Sequence, residues 1–125
     1  MHPIEHSGMA IHITQALHTA ILVSDLERAG HFYGEILGLT RCEYRALKYP
    51  GIWYQIGDHQ LHLIQDTTIT PHIHNTEKLG RNPHLALSVA SLEDTRATLQ
   101  AHGCVVEMSA SGRAALFTHE PDGNL

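Results

Sequence analysis

The residues with most chemical capacity in this chain are His18, His62 and His84. Each lies in a short run of alternating polarity, HTAILV, QLHLI or HLALSV, that reads as a β-strand. Along 18–23, His18, Ala20 and Leu22 share one face, while Thr19, Ile21 and Val23 form the oilier, β-branched one. Along 60–65, Leu61 and Leu63 take one face, leaving Gln60, His62 and Ile64 on the other. Neutral imidazole is a borderline ligand suited to Zn, Ni, Co, Mn or Fe, so three imidazoles on one face would form a ligand set for a divalent metal ion. Taken singly, a strand histidine is more often a satisfied core or rim residue.

A repeat links two of the three. HTAILVSDLE from His18 and HLALSVASLE from His84 align without gaps at an offset of 66 residues, and six of the ten pairs are identical or both aliphatic. A recurring unit of this kind sets the fold. His18 and His84 hold the same position in both copies, so a pseudo-twofold arrangement would bring them together.

The elements that must position these residues follow from local chemistry. Ser24 or Asp25 caps a helix whose apolar positions Leu26, Ala29, Tyr33, Ile36 and Leu37 recur at helical spacing, with Glu27 able to complete a capping box; Asp25 is favoured because it aligns with Ser91. Gly38 supplies the left-handed stop. Strands are expected at about 39–46, 52–57 and 60–65, separated by Tyr49-Pro50-Gly51 and Gly57-Asp58. The second half repeats the order: strand 84–89, helix 91–102 stopped by Gly103, strands near 104–109 and 114–118, then a PDGN turn. Residues 1–13 read as an extension with an isolated IHI. The fold class is α+β, with two βαβββ modules forming one open, curved mixed sheet: module one over 14–66, a linker over 67–82 and module two over 83–125, together a single domain of residues 1–125. Helices cover the oily strand faces and leave the opposite faces to form a concavity.

These residues carry a family resemblance. LHTAILVSDLERAGHFYGEILGL, above all FYGEILGL, together with DHQLHL, NPHLALSV and the terminal HEPDGNL, resembles the vicinal oxygen chelate superfamily, the glyoxalase/bleomycin resistance protein/dioxygenase group. The resemblance runs from about Leu17 to the end. It implies paired βαβββ modules around a metal, with ligands on the first and last strand of each module, which by position are His18, His62 and His84. The fourth ligand of such proteins is usually a Glu soon after the PDGN turn, and the sequence stops at Leu125 before reaching it. Either three histidines and water complete the site, or the chain continues past Leu125; the second is expected, because ending at an edge-forming turn leaves neighbouring backbone groups unpaired.

The function implied is that of a metal-dependent enzyme of glyoxalase type, a lyase or isomerase in which the cation chelates vicinal oxygens of a small carbonyl substrate. No general base is assigned. An extradiol-type dioxygenase is the alternative enzyme, and a metal-free drug- or metabolite-binding protein of the bleomycin resistance type is the alternative of another class. Substrate contacts are expected from Tyr44, Arg45, Trp53, Tyr54, Arg113 and Phe117 on the intermediate strands. Relatives often build each site from two chains, which implies a homodimer with sites between modules or chains.

Composition bounds the rest. Eight Lys and Arg against 13 Asp and Glu give a formal net charge of −5 without a basic run, which disfavours nucleic acid. Cys42 and Cys104, far apart and outside any CxxC pair, suit a reducing cytoplasm and buried filler roles. No apolar run is long enough for a membrane span, and MHPIEHSGMA lacks a signal-peptide pattern. Twelve histidines is a high count. His2, His6, His59, His72, His74, His102 and His119 lie in turns or tails and are read as solvated.

Overall fold

A computed structural model describes residues 10–42, 50–70, 72–109 and 113–125. Its first half has the expected order. Strand β1 (His18–Val23) leads through Asp25 into helix α1 (Leu26–Gly30), which continues as a π-helix over His31–Ile36; β2 (Thr40–Arg41), β3 (Gly51–Ile56) and β4 (His59–Gln65) follow. They form one sheet in the order β1-β4-β3-β2. It is mixed, because β4 runs parallel to β1 and antiparallel to β3, and it curves.

Capping follows the sequence closely. The Asp25 side chain accepts from the Arg28 N–H, and Ser91 does the same for Asp94 at the start of helix α2 (Leu92–Ala101). Gly38 and Gly103 take the left-handed conformation after the two helices, with φ of 72° and 75°. At Gly103 the stop is a full Schellman pattern, Cys104 N–H to Leu99 O and Gly103 N–H to Gln100 O.

The π-helical stretch departs from the expected continuous α-helix. Its wide turn is seen where the Leu37 N–H reaches Phe32 O at 2.9 Å. This turn lies directly over the sheet: a Cβ on Gly34 would sit 3.3 Å from the Tyr54 hydroxyl, and one on Gly30 would sit 3.4 Å from Ile52 Cδ1. The two glycines thus let the helix approach β3 closely. Val23, Ala29, Phe32, Tyr33, Ile52, Tyr54, Leu61 and Leu63 form the core between helix and sheet. Burial of β1 alternates as its parity predicts, with His18, Ala20 and Leu22 exposed and Val23 fully buried.

The second half is less regular. The alternation over residues 84–89 predicts a strand, yet they join no ladder; one backbone bond, Leu85 N–H to Leu125 O at 3.0 Å, ties them to the end of the chain. In the first half the matching segment, β1, is held along its whole length by β4. The expected strands at 104–109 and 114–118 shrink to a hairpin of β5 (Glu107–Met108) and β6 (Leu116–Phe117). Between the halves, Leu79–Arg81 form a 3-10 turn, and the buried Asn82 side chain bonds Asn75 N–H, Asn75 O and Leu79 O. Among the described residues no helix is long and apolar enough to cross a membrane.

The halves are stitched together by the HEPDGN turn. The buried Asp122 carboxylate accepts from Ser24 N–H at 2.9 Å and from Ser24 Oγ at 2.6 Å, with Arg28 Nη2 3.8 Å away. Asn124 Nδ2 donates to Leu22 O at 2.9 Å. Glu120, also buried, accepts through Oε1 from Asp122 N–H, Asn124 N–H and Asn124 Nδ2, while its Oε2 has no hydrogen-bond partner. Burial pushes the Glu120 carboxyl above the usual range, and the Asp122 charge adds to the shift.

Two stability predictions follow from this turn. Asp122→Ala removes charge-assisted bonds and strands two Ser24 donors, so urea unfolding should show a loss of about 2–3 kcal/mol; a loss under half a kcal/mol (~0.5) would exclude the clamp. The raised Glu120 pKa means that the folded chain holds this proton more tightly than the unfolded one. Its stabilising contribution is complete below the ordinary Glu range and is lost as pH rises through the raised folded value. The stability of wild type relative to Glu120→Gln should therefore fall as pH rises through that window, and a pH-independent difference would refute the assignment.

Candidate functional site

The concave face is assembled by strand parity. His18 lies opposite Gln60 and Ala20 opposite His62 in the β1–β4 pair, while Trp53 faces His62 and Gln55 faces Gln60 in the β3–β4 pair. His18, Gln60, His62, Trp53 and Gln55 therefore share one side of the sheet. Their rings form a continuous group: Trp53 stacks on His62 with centroids 3.9 Å apart and planes inclined by 10°, and meets His18 edge to face at 5.2 Å. A Cβ on Gly51 would lie 3.1 Å from His62 Nε2 and 2.7 Å from Leu63 O. The imidazole thus fills space that only glycine leaves above β3.

Next to the rings is a polar patch that the sequence pattern does not single out. Gln60 Nε2 donates to Gln55 Oε1 at 3.0 Å, and the buried Cys42 thiol lies 3.6 Å from the same oxygen. Parity does reach Gln55, since it stands two residues after Trp53. His59, expected to be solvated, is half-buried and structural: Thr19 Oγ1 and His59 Nε2 are 2.8 Å apart, and His59 Nδ1 donates to Ala16 O. These bonds fasten the start of β4 to β1 and to the residues just before it.

The three candidate ligands do not converge. His18 and His62 occupy the common face, but His84 is exposed on the unpaired segment, edge to face with Phe117 at 5.6 Å. Its Nδ1 lies 2.8 Å from Asn82 O. A carbonyl only accepts, so Nδ1 carries a proton and the neutral ring keeps its lone pair on Nε2, the arrangement of a metal-binding histidine. Among the described residues no group of three His, Cys, Asp or Glu is placed to hold a metal ion. The donor chemistry fits a borderline divalent cation, while the positions supply only two imidazoles on one face.

The candidate substrate contacts separate likewise. Trp53 belongs to the concave face. Tyr54, its neighbour in a strand, necessarily faces the other way and is buried under the helix, 3% exposed, with its ring 6.4 Å from Tyr33. Burial raises the Tyr54 hydroxyl pKa, with Arg41 opposing. It is a core residue, not a groove residue. Phe117 packs over Gly80, where a Cβ would meet its ring at 2.8 Å, and against His84. Arg113 is exposed. Tyr44 and Arg45 lie outside the described residues.

A curved mixed sheet with one helix-covered face and an opposite face bearing imidazole and indole defines a small α+β protein. Residues 15–125 match the profile of the Glyoxalase/Bleomycin resistance protein/Dioxygenase superfamily, and the chain belongs to that superfamily. No curated protein matches it. Among solved structures, a glyoxalase/dioxygenase from Nostoc punctiforme is similar with a TM-score of 0.74 and 19% identity, covering 99% of this chain and 93% of that one. Lactoylglutathione lyase from Agrobacterium tumefaciens is similar with a TM-score of 0.63 and 18% identity over 90% of each chain. TnmS3, an antibiotic binding protein from Streptomyces, has a TM-score of 0.67 and 24% identity over 92% of this chain and 93% of that one. At these identities the likeness is one of fold. The similar folds include one protein named a lyase and one named an antibiotic binding protein.

Gly51→Ala tests the ring arrangement. The new methyl group presses on backbone Leu63 O, so the variant should lose about 1–3 kcal/mol of stability and show an altered near-UV dichroism from Trp53 as His62 is displaced. An unchanged aromatic spectrum would refute the packing.

Proposed function

We propose that this chain is a metal-dependent enzyme of glyoxalase type, a lyase or isomerase acting on a small carbonyl compound. The observation that carries the reading is the placement of His18 and His62 on one face of two neighbouring strands, with Trp53 walling the space beside them. His18 and His62 would hold the ion. His84, with Nε2 in the ligating tautomer, would complete the set from the same chain or from a second copy in a homodimer. One described backbone bond, Leu85 N–H to Leu125 O, ties its segment to the end of the chain. A divalent cation held there would act as a Lewis acid that chelates adjacent oxygens of the substrate.

A second reading is a metal-free binder. It is favoured by the Trp53–His62 stack, an aromatic wall that is already packed without a metal ion. Metal analysis distinguishes the two. Protein purified from cultures supplied with Zn, Ni, Co, Mn and Fe should carry bound metal, and His18→Ala and His62→Ala should each lower the content several-fold. Wild type without metal, or variants with undiminished metal, would remove the enzyme reading; quenching of Trp53 fluorescence by aromatic ligands in metal-free protein would then support the binder. Oxygen uptake with catechols on iron-loaded protein would instead indicate the dioxygenase branch.

A further inference from the structure

Two stretches of alternating polarity stay outside every ladder among the described residues: 10–17, AIHITQAL, ahead of β1, and 84–89, HLALSV, ahead of α2. In the first, Ile11 and Ile13 are 88% and 87% exposed, and Leu17 is exposed too. In the second, Leu87 and Val89 are exposed, on the parity shared with the half-buried Leu85. Single exposed apolar residues are ordinary, but both stretches repeat them at the two-residue spacing of a strand. Their backbones are almost unpaired. Among the described residues, 84–89 make one backbone bond, Leu85 N–H to Leu125 O, and 10–17 make one, at Leu17 O from Gln60 N–H. Neither stretch carries a Pro, Lys, Arg, Asp or Glu, the residues that usually blunt an open strand edge.

Within one chain the two are anchored apart. Gln60 N–H to Leu17 O and His59 Nδ1 to Ala16 O pin the end of the first stretch at the start of β1. Leu85 is tied to Leu125, whose neighbour Asn124 bonds Leu22 O near the far end of β1. At about 3.3 Å per residue, Leu17 and Leu22 lie roughly 16 Å apart along that strand. We propose that residues 10–17 of one chain add as a strand to residues 84–89 of a second copy, reciprocally, to form a dimer by arm exchange. Each stretch then supplies the ladder and the apolar face that the other lacks. With Ile11, Ile13 and Leu17 laid along Leu85, Leu87 and Val89, exchange of both arms removes on the order of 1,200 Å² from water, the lower end of the range for stable interfaces. No charge in either stretch opposes the contact. Parity fixes the opposite face as well: with Ile11 and Ile13 on the side of Leu87 and Val89, the partner's His12 lies on the side of His84 and Ser88. The added strand would hold 84–89 as β4 holds β1.

Sedimentation velocity and hydrogen exchange on the full chain test the proposal, with a chelator present so that the result is independent of any metal bound at the concave face. Wild type should be dimeric, with the amides of 10–17 and 84–89 protected and that protection falling on dilution. Ile11→Glu/Ile13→Glu places charge at exposed positions outside the core, so far-UV dichroism should stay unchanged while the dimer dissociation constant rises about tenfold or more. The same variant should deprotect 84–89, and Leu87→Glu/Val89→Glu should deprotect 10–17. A monomeric wild type overturns the proposal, as does a dimer of unchanged affinity in Ile11→Glu/Ile13→Glu. Protection of 84–89 that survives in that variant overturns it too, because another part of the protein would then cover the segment.

Discussion

The bond between Asp122 and Ser24 joins residues 98 apart in sequence and fixes the relation between the two ends of the fold. It acts where β1 becomes α1, so the same carboxylate that holds the C-terminal turn also restrains the start of the helix covering the core. Few other described polar contacts cross between the halves, Asn124 to Leu22 O being one. Two neighbouring carboxylates in one buried turn would ordinarily repel. Here Asp122 is matched by two Ser24 donors and Arg28, and Glu120 by three N–H donors on one oxygen. The turn therefore tolerates burial through these donors together with the raised Glu120 pKa, which favours the neutral carboxyl beside Asp122.

Local signals are legible in the sequence because their causes are local. Asp25 and Ser91 cap because each has an acceptor placed over the first helical turn, and Gly38 and Gly103 end their helices because φ is positive there. The π-helical turn is not legible in FYGEILGL. It lies where Tyr54 and Ile52 closely approach Gly34 and Gly30, and that contact is a tertiary fact. Residues 84–89 show the converse: their alternating pattern suits a strand, but pattern alone supplies no partner, and the ladder that β4 gives β1 has no counterpart there.

The same division runs through the candidate site. Parity correctly places His18 and His62 on one face, since two-residue alternation is geometry. Parity also rules out Trp53 and Tyr54 as joint groove residues, because adjacent residues of one strand point to opposite faces of the sheet. What parity does not give is ring orientation, which here depends on the space above Gly51 and on an indole from the next strand. The expectation for His84 rests on the repeat, and a repeat transfers position only if both copies are held by equivalent partners.

The stack of Trp53 on His62 bears on both functional readings at once. An imidazole ligates through a lone pair lying in its own plane, so an indole inclined to it by only 10° fixes the plane in which any ion could approach. The same indole is buried beside that approach, and its edge contact with His18 links the second ring to the first. Trp53 would thus set the direction of ligation and the shape of the space left for a substrate. In a metal-free binder the identical arrangement would supply a rigid wall whose orientation is already settled before a ligand arrives. The choice between the readings turns on whether a third donor joins His18 and His62, because the two rings and the wall between them serve either chemistry.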